Sequence, residues 1–465
     1  MEIMATGPMP QKQRWRKMYV WLAVLMLLTC GLIWNLYLHD GAATNDADLS
    51  VRDPIAPEDQ NGLAMLFDIN TAPFEFDGFA LEHGIDMETA DKINAGDLRN
   101  DALMDAFLMQ ARPHFTEIDH VLDERYFVFN DSITANNIPT SLMCLEIVNA
   151  LSLSAMRGQQ TGDYGSALHD VMRLRKLGMR FCEGYKPLIF VATGSMFYHA
   201  YIYSCYELLN DPLLPVRDRT SLEAEFRDEA PWPSIYQHSL QIEYAYDVNL
   251  LHQFARYGGD SANASFLDSV SEKWMQVSLM EHSTQSQLAN YYRAWINELN
   301  RPFSQFHIEA TPQNFDIKLI SASWTEMIRP NFGGRMFLYA FKPEKLAREV
   351  VVASDASLAT DRELRVGFAL RHYYDDNKSL PKKLTDLVPV YLPAVPTDPF
   401  DGKPLRYDLA KRLVYSVGTD LADHDGSKYL QMSKNSLNYE NPLSDQAQPT
   451  LQLTFQNAPN GAAAR

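Results

Sequence analysis

The stretch that decides the fold runs from Ser141 to Phe181 and reads SLMCLEIVNALSLSAMRGQQTGDYGSALHDVMRLRKLGMRF. In its first half, apolar residues recur at the 3.6-residue spacing of a helix. This apolar stripe consists of Leu142, Leu145, Val148, Leu151 and Ala155. Gly162 suits the end of that helix, and Asp163 suits the N-cap of a second one. The stretch therefore predicts two helices joined by a tight corner.

The corner GDYGSAL, residues 162–168, resembles that of a tetratricopeptide-type helical hairpin, in which a small residue such as Ala167 lets the two helices approach closely. A tetratricopeptide array repeats about every 34 residues, and this period is not found along the rest of the chain. The resemblance therefore predicts one mode of helix packing rather than a repeat protein.

Residues 61–350, around this hairpin, have few glycines and long stretches with helical apolar spacing, which predicts a multi-helix domain. The most apolar of these stretches is PLIFVATGSMFYHAYIYSCYELL, from Pro187 to Leu209. It contains His199 together with several serines and tyrosines. We therefore expect a buried core helix here rather than a second membrane span.

Residues 18–38, MYVWLAVLMLLTCGLIWNLYL, carry no charge and are long enough to cross a bilayer as one helix. The preceding residues 1–17 form a basic tail with Lys12, Arg14, Arg16 and Lys17, and Lys and Arg stay on the cytoplasmic side. The pattern predicts an uncleaved signal anchor with its N-terminus in the cytoplasm. A polar, acidic linker, residues 39–60, then leads to the part of the chain on the other side.

The chain has 465 residues, enough for two or more domains, and a net charge of −18, from 41 Lys and Arg against 59 Asp and Glu. Such acidity disfavours a nucleic-acid partner, because the phosphate backbone would be repelled. Three cysteines, Cys144, Cys182 and Cys205, follow the predicted anchor. Their spacing indicates neither zinc nor a disulfide framework. Three buried thiols are one interpretation, and a Cys182–Cys205 bridge is another.

Near the C-terminus, Thr360 and Glu363 have the spacing of a capping box, which predicts a helix start at this point. Beyond the helix, apolar and polar residues alternate at 405–409 and again at 413–417. Two short antiparallel strands joined by a turn are the expected structure. The last segment, residues 431–465, is polar and rich in small residues, so we expect much of it to be loose.

The C-terminal region, about residues 358–427, resembles the C-terminal half of the major pseudopilins of type II secretion systems. The matching pieces, in family order, are Leu380-Pro381, Leu384, Leu387, the segment DPFDGKPLRY at 398–407 and SVGTD at 416–420. The resemblance implies a small α+β module, which we place at residues 355–430. The prepilin-peptidase site and the early glutamate of pilin subunits are missing, so the resemblance covers this module and not a pilus subunit.

In that family the final loop holds a structural calcium ion. By resemblance, Asp420, Asp423 and Asp425 are the candidate ligands here. Carboxylates interleaved with loop carbonyls are suitable donors for Ca²⁺, which takes about six to eight oxygens. Leu421 stands where the family has a glycine. The alternative is a solvated acidic turn with Gly426 at a positive φ.

Searches for P-loop, G-x-G-x-x-G, G-x-S-x-G and H-E-x-x-H motifs find none. The densest polar and aromatic stretch is WPSIYQHSLQIEYAYDVNLLHQF, from Trp232. On one helix, Glu243 and Asp247 would share a face, and two carboxylates can divide acid and base work. The alternative is a solvated helix face, where such pairs are common. A second stretch, with Glu281, His282, Tyr291 and Tyr292, offers similar chemistry.

Together these features predict a mainly α protein with an N-terminal transmembrane helix, an α-hairpin domain and a small pseudopilin-like module with a short antiparallel sheet. The whole chain resembles bacterial envelope proteins that join a helical domain to such a tail. The resemblance implies an inner-membrane location with the bulk in the periplasm. We expect an interaction or structural role with protein partners, in the setting of a secretion-type complex. The alternative is an envelope hydrolase acting on glycans or peptides.

Overall fold

The computed structural model of the chain describes residues 19–29, 40–51, 56–128, 141–184, 186–257, 273–307, 329–340, 343–426 and 450–454. The chain divides into two compact units. The first unit comprises residues 1–50, 244–293 and 309–344, and the second comprises residues 51–243, 294–308 and 345–465. The two predicted modules, the helical hairpin and the pseudopilin-like tail, both lie in the second unit.

Most of the described structure is helical. The helices before residue 230 are α1 Gly62–Phe67, α2 Phe76–Glu82, α3 Met87–Ala95, α4 Asp101–Ala111, α5 Phe115–Asp123, α6 Ser141–Thr161, α7 Tyr164–Cys182, α8 Leu188–Asn210 and α9 Val216–Ala224. Later helices are α10 Trp232–Tyr257, α11 Glu281–Glu298, α12 Phe332–Ala340 and α13 Pro343–Asn377.

The hairpin predicted at residues 141–181 is confirmed as α6 and α7. Gly162 ends α6 with a φ of 78°, and the Asp163 side chain caps α7. A Cβ added at Gly158 would lie 3.0 Å from the Cβ of Ala167. The two helices therefore approach closely through small residues, as the corner sequence predicts.

Helices α7 and α8 approach still more closely, at Gly178 and Gly194. A Cβ added at Gly178 would lie 2.9 Å from the main-chain nitrogen of Tyr198. A Cβ added at Gly194 would lie 2.7 Å from the carbonyl oxygen of Gly178 and 2.5 Å from the sulfur of Cys182. Only residues without a side chain allow the helices to come this near.

Aromatic rings fill the space beside this contact. The ring of Phe181 on α7 stacks on Phe190 and Phe197 of α8, with centroid separations of 6.2 and 5.6 Å. All three side chains are buried. Helix α8 is thus the core helix that its apolar sequence predicts.

The predicted capping box at Thr360–Glu363 is wrong, because α13 runs unbroken through it. The Thr360 hydroxyl donates to the Ala356 carbonyl, one turn back, at 2.9 Å, and Glu363 is fully buried. Apolar side chains on both sides of this point, Val350, Val351, Val352, Ala359 and Leu364, are buried as well. Packing along the whole stripe continues the helix where a local signal predicts a start.

The two predicted strands are confirmed as β1, Arg406–Asp408, and β2, Leu413–Tyr415, which pair antiparallel. A third strand, β3 at Thr450–Gln452, pairs antiparallel with β2 and completes the order β1-β2-β3. The sequence analysis did not predict β3, which lies in the segment expected to be loose. The predicted fold class, mainly helical with a small antiparallel sheet, is confirmed at this level.

Of the predicted anchor, residues 18–38, the structure describes residues 19–29, which are helical. The rest of the anchor lies outside the described residues. Over the ranges given above, no helix has both the length and the apolar character needed to cross a membrane.

The glycine contact predicts that Gly194→Ala destabilises the chain by about 1–3 kcal/mol, because the added methyl overpacks a filled interface. The matched control is Gly165→Ala in α7, where a new Cβ would meet nothing nearer than 3.8 Å. We expect this control to be neutral or to gain up to about 1 kcal/mol from the better helix propensity of alanine. Thermal unfolding of both variants measures the difference, and equal midpoints would contradict the tight contact.

Candidate functional site

The two predicted catalytic carboxylates each have a partner of their own. The Glu243 carboxylate accepts the main-chain N–H of Leu188, the first residue of α8, at 2.8 Å. Asp247 is 6% exposed and accepts the hydroxyl of Tyr292 at 2.6 Å. Burial raises the pKa of Glu243. These contacts give Glu243 the role of a helix cap and Asp247 that of a buried hydrogen-bond acceptor.

In the second predicted catalytic stretch, Glu281 and His282 are partly exposed and Tyr292 is buried. The Glu281 carboxylate contacts Nδ1 of His252. The main-chain N–H of His282 donates to the carboxylate of Asp40 at 2.7 Å. Glu281 and His282 thus have different partners and form no shared arrangement with each other.

The predicted calcium loop has hydrogen bonds among its own residues and one from Tyr415 at the end of β2. Asp420 accepts the N–H of Ala422 at 3.1 Å and contacts Nε2 of His424 at 2.9 Å. Asp423 accepts the hydroxyl of Tyr415 at 3.0 Å and the N–H of Asp425 at 2.9 Å.

The backbone of this loop turns through left-handed residues: Leu421, Asp425 and Gly426 have φ values of 57°, 53° and 65°. In the described part of the chain, no three Asp, Glu, His or Cys side chains lie close enough together to hold a metal ion. Calcium binding by Asp420, Asp423 and Asp425 stays a prediction.

Cys144, Cys182 and Cys205 are buried and unpaired. Burial raises the pKa of the Cys144 and Cys182 thiols to about 12. Of the two interpretations of these residues, the structure supports buried thiols, which pack in the core as small apolar side chains.

A cleft of about 580 Å³ opens in the second unit, and this is the candidate functional site. Its walls come from the end of α3, the second half of α6, the start of α7, the end of α8 and Thr454, just beyond β3. We call it the acidic cleft, because Asp97, Glu207 and Asp211 line it and, among the described residues, no Lys, Arg or His does. The volume lies in the range of small-molecule sites.

Hydrogen bonds fix the carboxylate of Asp211 at the mouth of the acidic cleft. Its Oδ2 accepts the hydroxyl of Tyr164 at 2.9 Å and the side-chain amide of Gln159 at 3.2 Å. Burial, together with the bond to Asp211, raises the pKa of Tyr164. The phenol is therefore a donor to the carboxylate throughout the physiological range.

Glu207 lies one helical turn before Asp211, half-buried in the wall. Burial raises the pKa of Glu207, the Tyr203 hydroxyl bonded to it acts in the opposite direction, and the nearby charge of Asp211 raises it again. Ser152 lies deeper, at 5% exposure, and its hydroxyl has no hydrogen-bond partner. The acidic cleft thus has an unused polar group as well as its negative charge.

Sequence reasoning missed this site. The available signal was the i, i+4 spacing of Glu207 and Asp211, which places two carboxylates on one face at the end of a very apolar helix. What could not be predicted is that the distant α3 and α6 end beside them.

The second unusual feature is a group of buried carboxyl side chains on α13 and the following segment, consisting of Asp355, Asp361, Glu363 and Asp398. Asp398 accepts bonds from Ser416, from the N–H groups of Phe400 and Val417, and from Arg406. Glu363 is fully buried, and neither carboxylate oxygen makes a hydrogen bond in the structure.

Burial raises the pKa of each of these carboxyl groups. The pKa of Asp355 rises to about 8, with a further contribution from the charge of Asp398. The pKa of Asp361, which accepts bonds from Tyr198 and Trp232, rises to about 7. Burial and the charge of Asp398 raise that of Glu363 as well. Of the four carboxylates, Asp398 accepts the most hydrogen bonds, whereas burial works against the charged form of Glu363.

No protein-family model, curated protein or solved structure matches the chain.

The buried carboxyl groups predict that stability falls as the pH rises. Because their pKa values are higher in the folded chain, the folded state binds more protons than the unfolded state between about pH 4 and pH 8. The stability that these raised pKa values provide is fully present below about pH 4 and is lost by about pH 8. Each such proton contributes about 1.4 kcal/mol per pH unit inside this window.

The measurement is the free energy of unfolding against pH for Asp355→Asn and Glu363→Gln. We expect Asp355→Asn to lower the pH dependence of the unfolding free energy by about one bound proton and to be more stable than wild type at pH 8. Glu363→Gln should reduce the pH dependence in the same direction. Glu88→Gln, at an exposed carboxylate on α3 paired with Lys92, is the matched control and should follow wild type. Parallel curves for all four proteins would contradict buried, protonated carboxyl groups.

Proposed function

We propose that the chain is a membrane-anchored binding protein of a bacterial envelope, with its bulk in the periplasm and the second unit as its binding part. The observation that carries the binding role is the acidic cleft, an open site with polar groups at its walls. Such a site suits reversible recognition of a ligand.

The anchor and its orientation are supported by the uncharged run at 18–38 and by the four basic residues before it. The bacterial envelope is supported by the resemblance of residues 358–427 to pseudopilin tails. Within the region of resemblance, the helix, the two strands β1 and β2 and the loop at Gly418 with a φ of 68° follow in the expected order.

A hydrolase role has less support. Glu243 and Asp247 bind the Leu188 N–H and the Tyr292 hydroxyl, and neither residue lines the acidic cleft. A general acid and base need to face a shared substrate, and each of these carboxylates instead supports its own helix end or side-chain contact.

The anchor proposal predicts that the untagged full-length chain fractionates with the inner membrane. Protease added to spheroplasts should degrade its bulk. Replacing Lys12, Arg14, Arg16 and Lys17 together by Gln should reduce the protease-sensitive fraction, because the positive flank sets the orientation. The control exchanges Lys and Arg at the same four positions and keeps the charge. Recovery of the wild-type chain in the soluble cytosol would refute the anchor.

The calcium ion implied by the pseudopilin resemblance remains part of the proposal, with Asp420, Asp423 and Asp425 as its ligands. A ligand that binds only the folded state raises the melting temperature. We therefore expect added Ca²⁺ to raise the melting temperature and a chelator to lower it. The double variant Asp420→Asn and Asp423→Asn should not respond to either. A wild-type melting temperature that ignores both reagents would remove calcium and leave an acidic turn.

A further inference from the structure

We propose that the acidic cleft binds an alkylammonium cation, an aliphatic chain that carries protonated amines. The inference rests on the proposed binding role and names the class of ligand for that site. Three observations support it: the charge of the lining, the ends of the helices that form the walls, and the mixture of apolar and polar surface.

The charge of the described lining is negative. Asp97, Glu207 and Asp211 contribute carboxylates, and none of the lining residues that the structure describes is basic. The neighbouring guanidinium groups are already engaged. Arg157 pairs with Asp101 and Asp105.

The guanidinium of Arg371 donates to the carbonyls of Leu209 and Asp211, at 3.2 and 3.5 Å, and pairs with Asp375. It reaches the main chain behind Asp211 rather than the cleft surface, which it does not line. A cation in the acidic cleft would therefore not have to displace Arg157 or Arg371 from the carboxylates of the lining.

Three helices end at the acidic cleft. Helix α3 ends at Ala95, α6 at Thr161 and α8 at Asn210, and residues of each last turn or C-cap line the site. The C-terminus of a helix carries a partial negative charge from its unpaired carbonyls, which stabilises a nearby cation. The helix ends therefore reinforce the carboxylates.

The walls also carry apolar surface. Met156, Leu208, Pro212 and Leu213 can contact methylene groups, and Tyr164 and Tyr203 present aromatic rings. An aliphatic chain would lie against this surface while its ammonium ends reach the carboxylates, in the way that lysine stems lie on apolar surface. This division suits an extended amine better than a compact cation.

A metal ion fits the site less well. The described residues hold no group of three or more acidic, histidine or cysteine side chains close enough together for a metal. The carboxylates of the acidic cleft come from two different elements: Asp97 follows α3, whereas Glu207 and Asp211 lie at the end of α8. Ser152, buried and with an unused hydroxyl, offers an ammonium group one more acceptor.

The test is isothermal titration calorimetry of the full chain in detergent with spermidine and with Nα-acetyl-lysine methylamide. The neutral control ligand is the 6-hydroxynorleucine analogue, in which a hydroxyl replaces the amine of the lysine probe. We expect at least one amine to bind, the hydroxyl analogue to bind at least about tenfold more weakly, and affinity to fall as salt is added. Tighter binding of spermidine would indicate a free polyamine, and tighter binding of the lysine probe a protein side chain.

Two variants decide whether the amine binds in the acidic cleft. Glu207→Gln removes a half-buried charge and should weaken binding about tenfold. Asp97→Asn changes an exposed residue, and it should weaken binding in the same direction. Glu88→Gln on α3, outside the acidic cleft, should bind like wild type.

Equal affinity for the amine and hydroxyl probes would overturn the proposal, as would wild-type affinity in both Glu207→Gln and Asp97→Asn. Failure of both amines to bind would overturn the ligand class. None of these results depends on where the chain resides, so the outcome is separate from that of the fractionation experiment.

Discussion

The close contact of Gly178 with Gly194 is the constraint on which the second unit depends. It allows α7 and α8 to meet backbone to backbone, and this places Phe181 against Phe190 and Phe197. Because α8 is a continuous helix, a contact that fixes its first half also fixes the position of its C-terminal end. The contact between Gly178 and Gly194 lies several helical turns before the end of α8. It therefore helps to set the position of the last turn, which carries Glu207 and leads to Asp211.

Signals that span a few neighbouring residues correctly predicted the elements whose structure depends mainly on those residues. The corner at Gly162 and Asp163, the apolar helix from Pro187 and the strands at 406–415 were all predicted from spacing, caps and alternation. The capping box predicted at Thr360 was wrong, because packing over a longer stretch outweighed the local signal. A hydroxyl three residues before a glutamate also occurs inside a helix, and burial on both sides of Thr360 continued the helix through it.

The candidate site could not be predicted in the same way, because it is assembled from ends that are far apart along the chain. No window of sequence contains Asp97, Ser152 and Glu207 together. The buried carboxyl groups were hidden by a different effect. Acidic residues are normally exposed, and the spacing of Thr360 and Glu363 predicted a helix start and not a buried site. Asp361 is buried beside Tyr198 and Trp232, and Glu363 lies near Asp398, so the burial of both depends on residues far away in the sequence.

The third strand has a consequence for the order in which the sheet is completed. β2 hydrogen-bonds on one side to β1, a few residues away, and on the other to Thr450–Gln452. During synthesis the ribosome releases β1 and β2 well before β3, so the outer edge of β2 is bare for that interval, and a bare edge is a template for strands of other chains. Asn210 binds the same arriving segment, through Gln452 and Thr454. The late arrival of residues 450–454 therefore both covers the open edge of β2 and completes the wall of the acidic cleft.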